Sequence, residues 1–213
     1  MLLAILLTTY LLSAFLHAKW IGALELGMFT AAGLLALRNS PIRSRTARVA
    51  IMAVIALTAA MIVISLSYDT PTGHGIAGIW TGLLLLLTVT LLLRQILLLP
   101  AVTIQSIYGA VSAYLIIGLM FAAFYSAINY LHGGFFAAGE PANLSTFQYF
   151  SFTTLTTLGY GDFTPVQDGA RAVAMIEAMS GQIFLATLVA RLVSSFRPAG
   201  SVAADQDGND REA

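Results

Sequence analysis

The chain has 213 residues, 58% of them hydrophobic and only 9% charged. A soluble domain carries about a quarter charged residues, so this composition points to the membrane. The formal net charge is zero, which leaves no basic excess for holding a nucleic acid. Without cysteine, disulfides, thiolate metal sites and a cysteine nucleophile are excluded.

Taken in order, the chain offers six apolar spans. A bilayer core of about 30 Å asks for about 20 helical residues, with roughly 17 as a minimum. Residues 2–18 meet that minimum. No positive residue precedes them and no small-x-small site follows, so they are expected to be retained as a helix rather than removed as a signal peptide. His17-Ala18-Lys19-Trp20 makes a polar turn with Trp20 suited to the interface, and residues 21–37 form a second span with Glu25 near its outer end. The loop 38–48 holds Arg38, Arg43, Arg45 and Arg48. Four arginines pinned between apolar spans predict a cytoplasmic loop, not a nucleic-acid patch.

Residues 49–67 return outward to a turn-rich stretch, 68–75, with Pro71, Gly73 and Gly75. Residues 76–99 come back inward and end at Pro100, and residues 104–131 cross outward again. Residues 132–143, rich in Gly and Ala, lead to a hairpin. Residues 145–156 are long enough for a short helix, where Ser145 and Gln148 have capping-box spacing. The last span is 170–196, followed by a tail with Asp205, Asp207, Asp210 and Glu212. Orientation follows from counting. Arg38, Arg43, Arg45, Arg48, Arg94, Arg191, Arg197 and Arg211 fall inside, eight of the ten basic residues; Lys19 and Arg171 fall outside. An even number of spans agrees, with both termini cytoplasmic.

Between the short helix and the last span stands Thr156-Thr157-Leu158-Gly159-Tyr160-Gly161-Asp162. Two glycines alternating with larger residues let successive carbonyls point the same way, because glycine accepts positive φ without steric cost. Closed by a threonine with both a carbonyl and a hydroxyl, the run makes a ladder of oxygens. With the short helix before it and Asp162 and Thr164-Pro165 after it, the segment resembles the selectivity filter of the tetrameric potassium-channel superfamily. Leu158 stands where valine is commoner. The resemblance covers residues 104–197: outer helix, pore helix, filter and inner helix.

What the resemblance implies can be stated residue by residue. The fold would be an all-α integral membrane protein with six transmembrane helices, a re-entrant pore helix and a filter loop. It would sit in the cell membrane as a multi-pass channel passing K+ passively. The carbonyls of Thr157, Leu158, Gly159 and Tyr160 would coordinate K+, with Gly161 ending the filter and the Thr157 hydroxyl at the cavity end. No cofactor beyond those ions is implied, and no enzyme activity. Tyr149 and Phe150 would pack around the Tyr160 ring. Asp162 would accept a hydrogen bond from the pore helix, with Tyr149 the preferred donor. Thr153 takes the place of a family glutamate, so a carboxyl–carboxylate pair with Asp162 is absent. Gly181 falls where the family has its hinge, and it could equally let the inner helix lie close to the pore helix. Gln182, Leu185, Val189 and Val193 share one helical face, assigned to the cavity, with Val189 and Val193 at the constriction.

The filter motif occurs once, and one loop cannot ring an ion, so a homotetramer follows. Three segments result: a scaffold at 1–100, a pore domain at 101–197 and a short acidic tail at 198–213, too short for a ligand-binding domain. A voltage sensor needs repeated basic residues in its fourth helix, where a full charge crossing is worth about 2.3 kcal/mol per 100 mV. Residues 76–99 offer Arg94 alone, so gating is expected to be weakly voltage-dependent or independent of voltage. Glu177 is an acid inside a span. It lies about 140° from Gln182 at about 100° per residue, facing the pore helix or a neighbouring subunit. It is expected either to bond the backbone, Thr153 or Thr154, or to act as a pH-sensitive acid. Two other transport classes are weighed: a non-selective cation channel, given Leu158, and a potassium-uptake transporter, which uses four such loops in one chain. His17, His74 and His132 have no metal-ligand spacing, which speaks against a membrane enzyme.

Overall fold

A computed structural model describes residues 70–98, 103–137 and 142–195 continuously, with further helical residues at 3–4, 7–8, 24–34 and 52–63 described in part. Four long elements follow in chain order: α1 (Pro71–Leu98), α2 (Ile104–His132), α3 (Leu144–Leu155) and α4 (Asp168–Ser195). Among the described residues there is no strand, only an isolated bridge between Phe136 and Pro165.

Helix α1 begins five residues before the start expected from the sequence. Pro71 and Gly73 look like turn residues, but proline is preorganised for the first helical position, where its missing N–H is not needed. Thr70 caps the turn, its Oγ1 accepting from the Gly73 N–H at 3.2 Å. Helix α2 starts on a capping box in which Thr103 and Ser106 each take the other's backbone N–H. It ends at Gly133, whose φ of 71° few other residues adopt readily. Helix α3 runs one residue earlier than expected and is capped differently. Asn143, not Ser145, is the N-cap: its Oδ1 accepts from the Thr146 N–H at 2.9 Å and from the Ser145 hydroxyl at 2.7 Å. An Asx side chain is among the best caps, and Ser145 thus becomes a first-turn residue supporting it.

Helix α2 is the central element and packs against the other three. On one side Leu84, Leu85 and Val89 of α1 meet Ala113, Ile116 and Ile117 of α2. The Trp80 indole N–H of α1 donates to Thr58 Oγ1 at 3.2 Å, which ties in the short apolar helix Val54–Val63. On the other side α2 meets α3 and α4. Beyond the C-terminal end of α2, Phe135 and Phe136 join Tyr125, Phe147 and Phe150 in a buried aromatic cluster. Its ring centroids lie 4.8 to 5.8 Å apart, within the range where such pairs add about 0.5–1.5 kcal/mol to area burial.

Three helical stretches are long and apolar enough to cross a membrane: Pro71–Ile96, Ile104–His132 and Asp168–Arg191. The described chain is an all-α membrane protein. The expected spans at 2–18 and 21–37, the arginine loop at 38–48 and the tail at 198–213 lie wholly or mostly outside the described residues.

Candidate functional site

The loop after α3 is organised by the end of that helix. The Thr153 carbonyl accepts from both the Leu158 N–H (2.9 Å) and the Gly159 N–H (3.1 Å), and Thr154 O accepts from the Thr157 N–H at 2.9 Å. The first amides of the loop are therefore absorbed by the helix carbonyls that would otherwise lack partners. Beyond them, φ is positive at Thr157 (57°), Gly159 (55°) and Gly161 (77°), and at no other residue of the loop. An ordinary extended strand turns successive carbonyls to opposite sides. Reversing the hand at every second residue turns them to the same side. Glycine at 159 and 161 was legible in the sequence; the same conformation at Thr157 was not, because a β-branched residue is a poor choice for it. Among the described hydrogen bonds, none ends on a carbonyl from Thr157 to Gly161.

Side chains brace the loop from both flanks. Tyr149 donates its hydroxyl to Asp162 Oδ2 at 2.7 Å, the pair named from the sequence. Its ring stacks on Tyr160, with centroids 6.3 Å apart and planes at 5°. The bond to the Asp162 carboxylate, with some desolvation, pushes the Tyr149 phenol up to about 12. Phe150 does not join that stack within the chain. It is buried on the opposite flank of α3, its ring 5.1 Å from Tyr125 and 5.4 Å from Phe136. Adjacent helical residues point about 100° apart, so Tyr149 and Phe150 do not both face the Tyr160 ring of their own chain. Thr153 supports the loop through its backbone carbonyl, while its hydroxyl donates to Phe150 O at 2.9 Å.

Helix α4 passes behind the loop entrance. Gln182 Nε2 donates to Thr157 Oγ1 at 3.2 Å, joining two residues expected to border one cavity. A Cβ placed on Gly181 would overlap the Leu155 carbonyl of α3, and α4 runs unbroken through this position. In this conformation the glycine permits close approach of α4 to α3. Leu185, Val189 and Val193 are all exposed in the single chain, Val193 at 66%. So are Leu158 at 56% and Tyr160 at 65%.

Glu177, in contrast, is fully buried. Its partners are neither Thr153 nor Thr154. Tyr125 of α2 donates to Oε2 at 2.5 Å, and Ser151 of α3 bonds Oε1. The turn of α4 that carries Glu177 faces α2 and the middle of α3, whereas the threonines sit a half-turn or more further along α3. Tyr125 was missed: α2 carries four tyrosines, Tyr108, Tyr114, Tyr125 and Tyr130, and nothing in the sequence singles out the one that meets Glu177.

The outgoing chain is tied down too. The Val166 N–H donates to Phe135 O at 3.0 Å, Gln167 Nε2 donates to Gly133 O, and Arg171 Nε donates to Pro165 O at 2.9 Å. Among the described residues no group of His, Asp or Glu is arranged to hold a metal ion.

A braced loop with its amides turned inward, between two membrane helices, suits ion passage better than bond chemistry. Comparison with known families agrees: residues 111–197 match the ion-channel family model. This segment is similar to an ion-channel family. The match spans most of α2, all of α3, the loop and α4, and so contains every contact just described around Thr157–Asp162. No curated protein and no solved structure matches the chain. The described part of the chain is all-helical, and three of its helices are long and apolar enough to cross a membrane.

Proposed function

We propose that this channel conducts K+ passively and selectively through a filter made of Thr157, Leu158, Gly159, Tyr160 and Gly161. The observation that carries the reading is the alternating hand of the backbone, with positive φ at Thr157, Gly159 and Gly161. With the amides of Thr157, Leu158 and Gly159 bonded back to α3, the carbonyls of Thr157, Leu158, Gly159 and Tyr160 are left to replace the water shell of a dehydrated cation. Potassium is the cargo, and the mechanism asks for no other cofactor.

Unpartnered carbonyls facing hydrocarbon are costly, so four chains close the ring around one axis as a homotetramer. Tyr149 and Asp162 hold the outer end of the filter, with Phe150 and Thr153 behind it. Gln182, Leu185, Val189 and Val193 line the cavity and its cytoplasmic constriction. Residues 101–197 form the pore domain, residues 1–100 a membrane scaffold and residues 198–213 a cytoplasmic tail. The chain crosses the membrane six times with both termini inside. Arg94 alone on α1 makes gating weakly dependent on voltage.

Purified protein in liposomes, driven by opposed K+ and Na+ gradients, tests this directly. Wild type is expected to pass K+ well ahead of Na+, and Gly159→Ala to abolish that preference. An added Cβ at 159 meets no atom within 4 Å, so the effect is the strain of positive φ alone, about 1–2 kcal/mol per chain. Equal passage of both ions by the wild type would overturn selectivity. Normal K+ preference in the variant would overturn the filter assignment.

A further inference from the structure

Glu177 sits where α2, α3 and α4 meet, fully buried within one chain. Three polar links run through the cluster. The Ser151 hydroxyl lies 2.6 Å from the Gly118 carbonyl oxygen of α2, Ser151 Oγ is bonded to Glu177 Oε1, and Tyr125 Oη is 2.5 Å from Glu177 Oε2. Each link needs a hydrogen. Ser151 and Tyr125 own one apiece, and a backbone carbonyl has none. The third hydrogen must be the carboxyl's own. Ser151 then donates to Gly118, Glu177 donates to Ser151, and Tyr125 donates to Glu177, which satisfies every group.

Nothing nearby offers an alternative. Among the described residues the titratable side chains facing Glu177 are Tyr125 and Tyr114, both on α2. Helix α3 presents the neutral Ser151. On α4 itself, Arg171 and Arg191 stand roughly two and four turns away. Among the described residues no cation faces the carboxyl, and an unpaired charge buried there would be costly.

We propose that Glu177 is a buried proton site: as an uncharged acid it pins α3 to α2 and α4, and loss of its proton as pH rises loosens α3 and lowers conduction. Without that proton two hydrogens serve three links, so one breaks. Ser151 lies two residues before Thr153, whose carbonyl holds the amides of Leu158 and Gly159. The consequence is therefore felt at the start of the filter, where Glu177 acts as a positioning residue and does not touch the ion.

This inference rests on the K+-conducting reading, which wild-type flux at neutral pH tests first and separately. The decisive experiment follows K+ flux in liposomes from about pH 5 to about pH 9 for wild type, Glu177→Gln and Ser151→Ala. Wild-type flux is expected to fall several-fold toward the alkaline end. Glu177→Gln supplies an amide N–H to Ser151 and an oxygen to Tyr125, so its flux is expected to stay flat at the wild-type acid level. Ser151→Ala is expected to conduct less at every pH, also without a pH step. A flat wild-type profile, or parallel falls in wild type and Glu177→Gln, overturns the proposal. Should Glu177→Gln not assemble, the infrared difference spectrum of wild type between the two pH extremes decides: loss of a protonated-carboxyl C=O band supports the proposal, and its absence overturns it.

Discussion

At Thr157 the backbone takes a φ of 57°, a conformation costing a non-glycine residue about 1–3 kcal/mol that surrounding contacts must offset. Its N–H is held by Thr154 O at 2.9 Å and its hydroxyl by Gln182 Nε2 at 3.2 Å. Both contacts fix the residue at the mouth of the loop. At the other end Tyr149 combines a stack on Tyr160 with a hydrogen bond to Asp162, and the two can be separated. Tyr149→Phe keeps the stack and removes the donor. The K+/Na+ flux ratio is expected to fall while the assembled mass stays unchanged; an unaltered ratio would mean that stacking alone holds the loop. The sign of the pH effect follows from a phenol raised to about 12. Its bond supports the folded loop in full below the ordinary phenol value of about 10 and is lost as pH rises through the folded-state value. An alkaline step in loop order, followed by circular dichroism in the tyrosine bands, is expected in wild type and not in Tyr149→Phe.

Between elements, the contact of α3 with α4 is set at Gly181. Alanine there would gain about 1 kcal/mol in helix propensity. It would also drive a Cβ into the Leu155 carbonyl, and overpacking of this kind typically costs about 1–3 kcal/mol. That carbonyl cannot easily retreat, since it also accepts from the Tyr114 hydroxyl at 3.3 Å. Gly181→Ala is therefore expected to lower the thermal unfolding temperature in detergent. A variant equally stable but altered in gating would instead mark a hinge as the main role of this glycine.

Among the described helices, α2 is well covered and α4 is the most open. In α2, 61% of the most apolar stretch is buried, against 11% for α4. Lipid can cover the apolar side chains of α4, but it cannot satisfy the carbonyls of the exposed loop beside it. A single chain is thus an incomplete solution to its own polar groups. Mass measurement of the purified protein in detergent or lipid is expected to give four chains, and a monomer or dimer that conducts would refute the ring.

The local features were legible because they are encoded locally. Apolar length marks the helices Ile104–His132 and Asp168–Arg191, and Gly159 and Gly161 mark the positive-φ positions. The hydrogen bond from Tyr149 to Asp162 was expected from the family resemblance of the run, not from spacing alone. Cap choice was harder, since Asn143 and Ser145 compete for one helix start and Pro71 reads as a turn as readily as a first helical residue. What only the tertiary structure decided lies between residues far apart in the chain. Tyr125 finds Glu177 across 52 positions, Gly181 meets Leu155, and Phe150 turns into the aromatic cluster while Tyr149 turns to Tyr160. No sequence period records such meetings, because they depend on how α2, α3 and α4 are set against one another. The unusual φ of Thr157 belongs with them: the residue type argues against it, and the carbonyls at the end of α3 impose it.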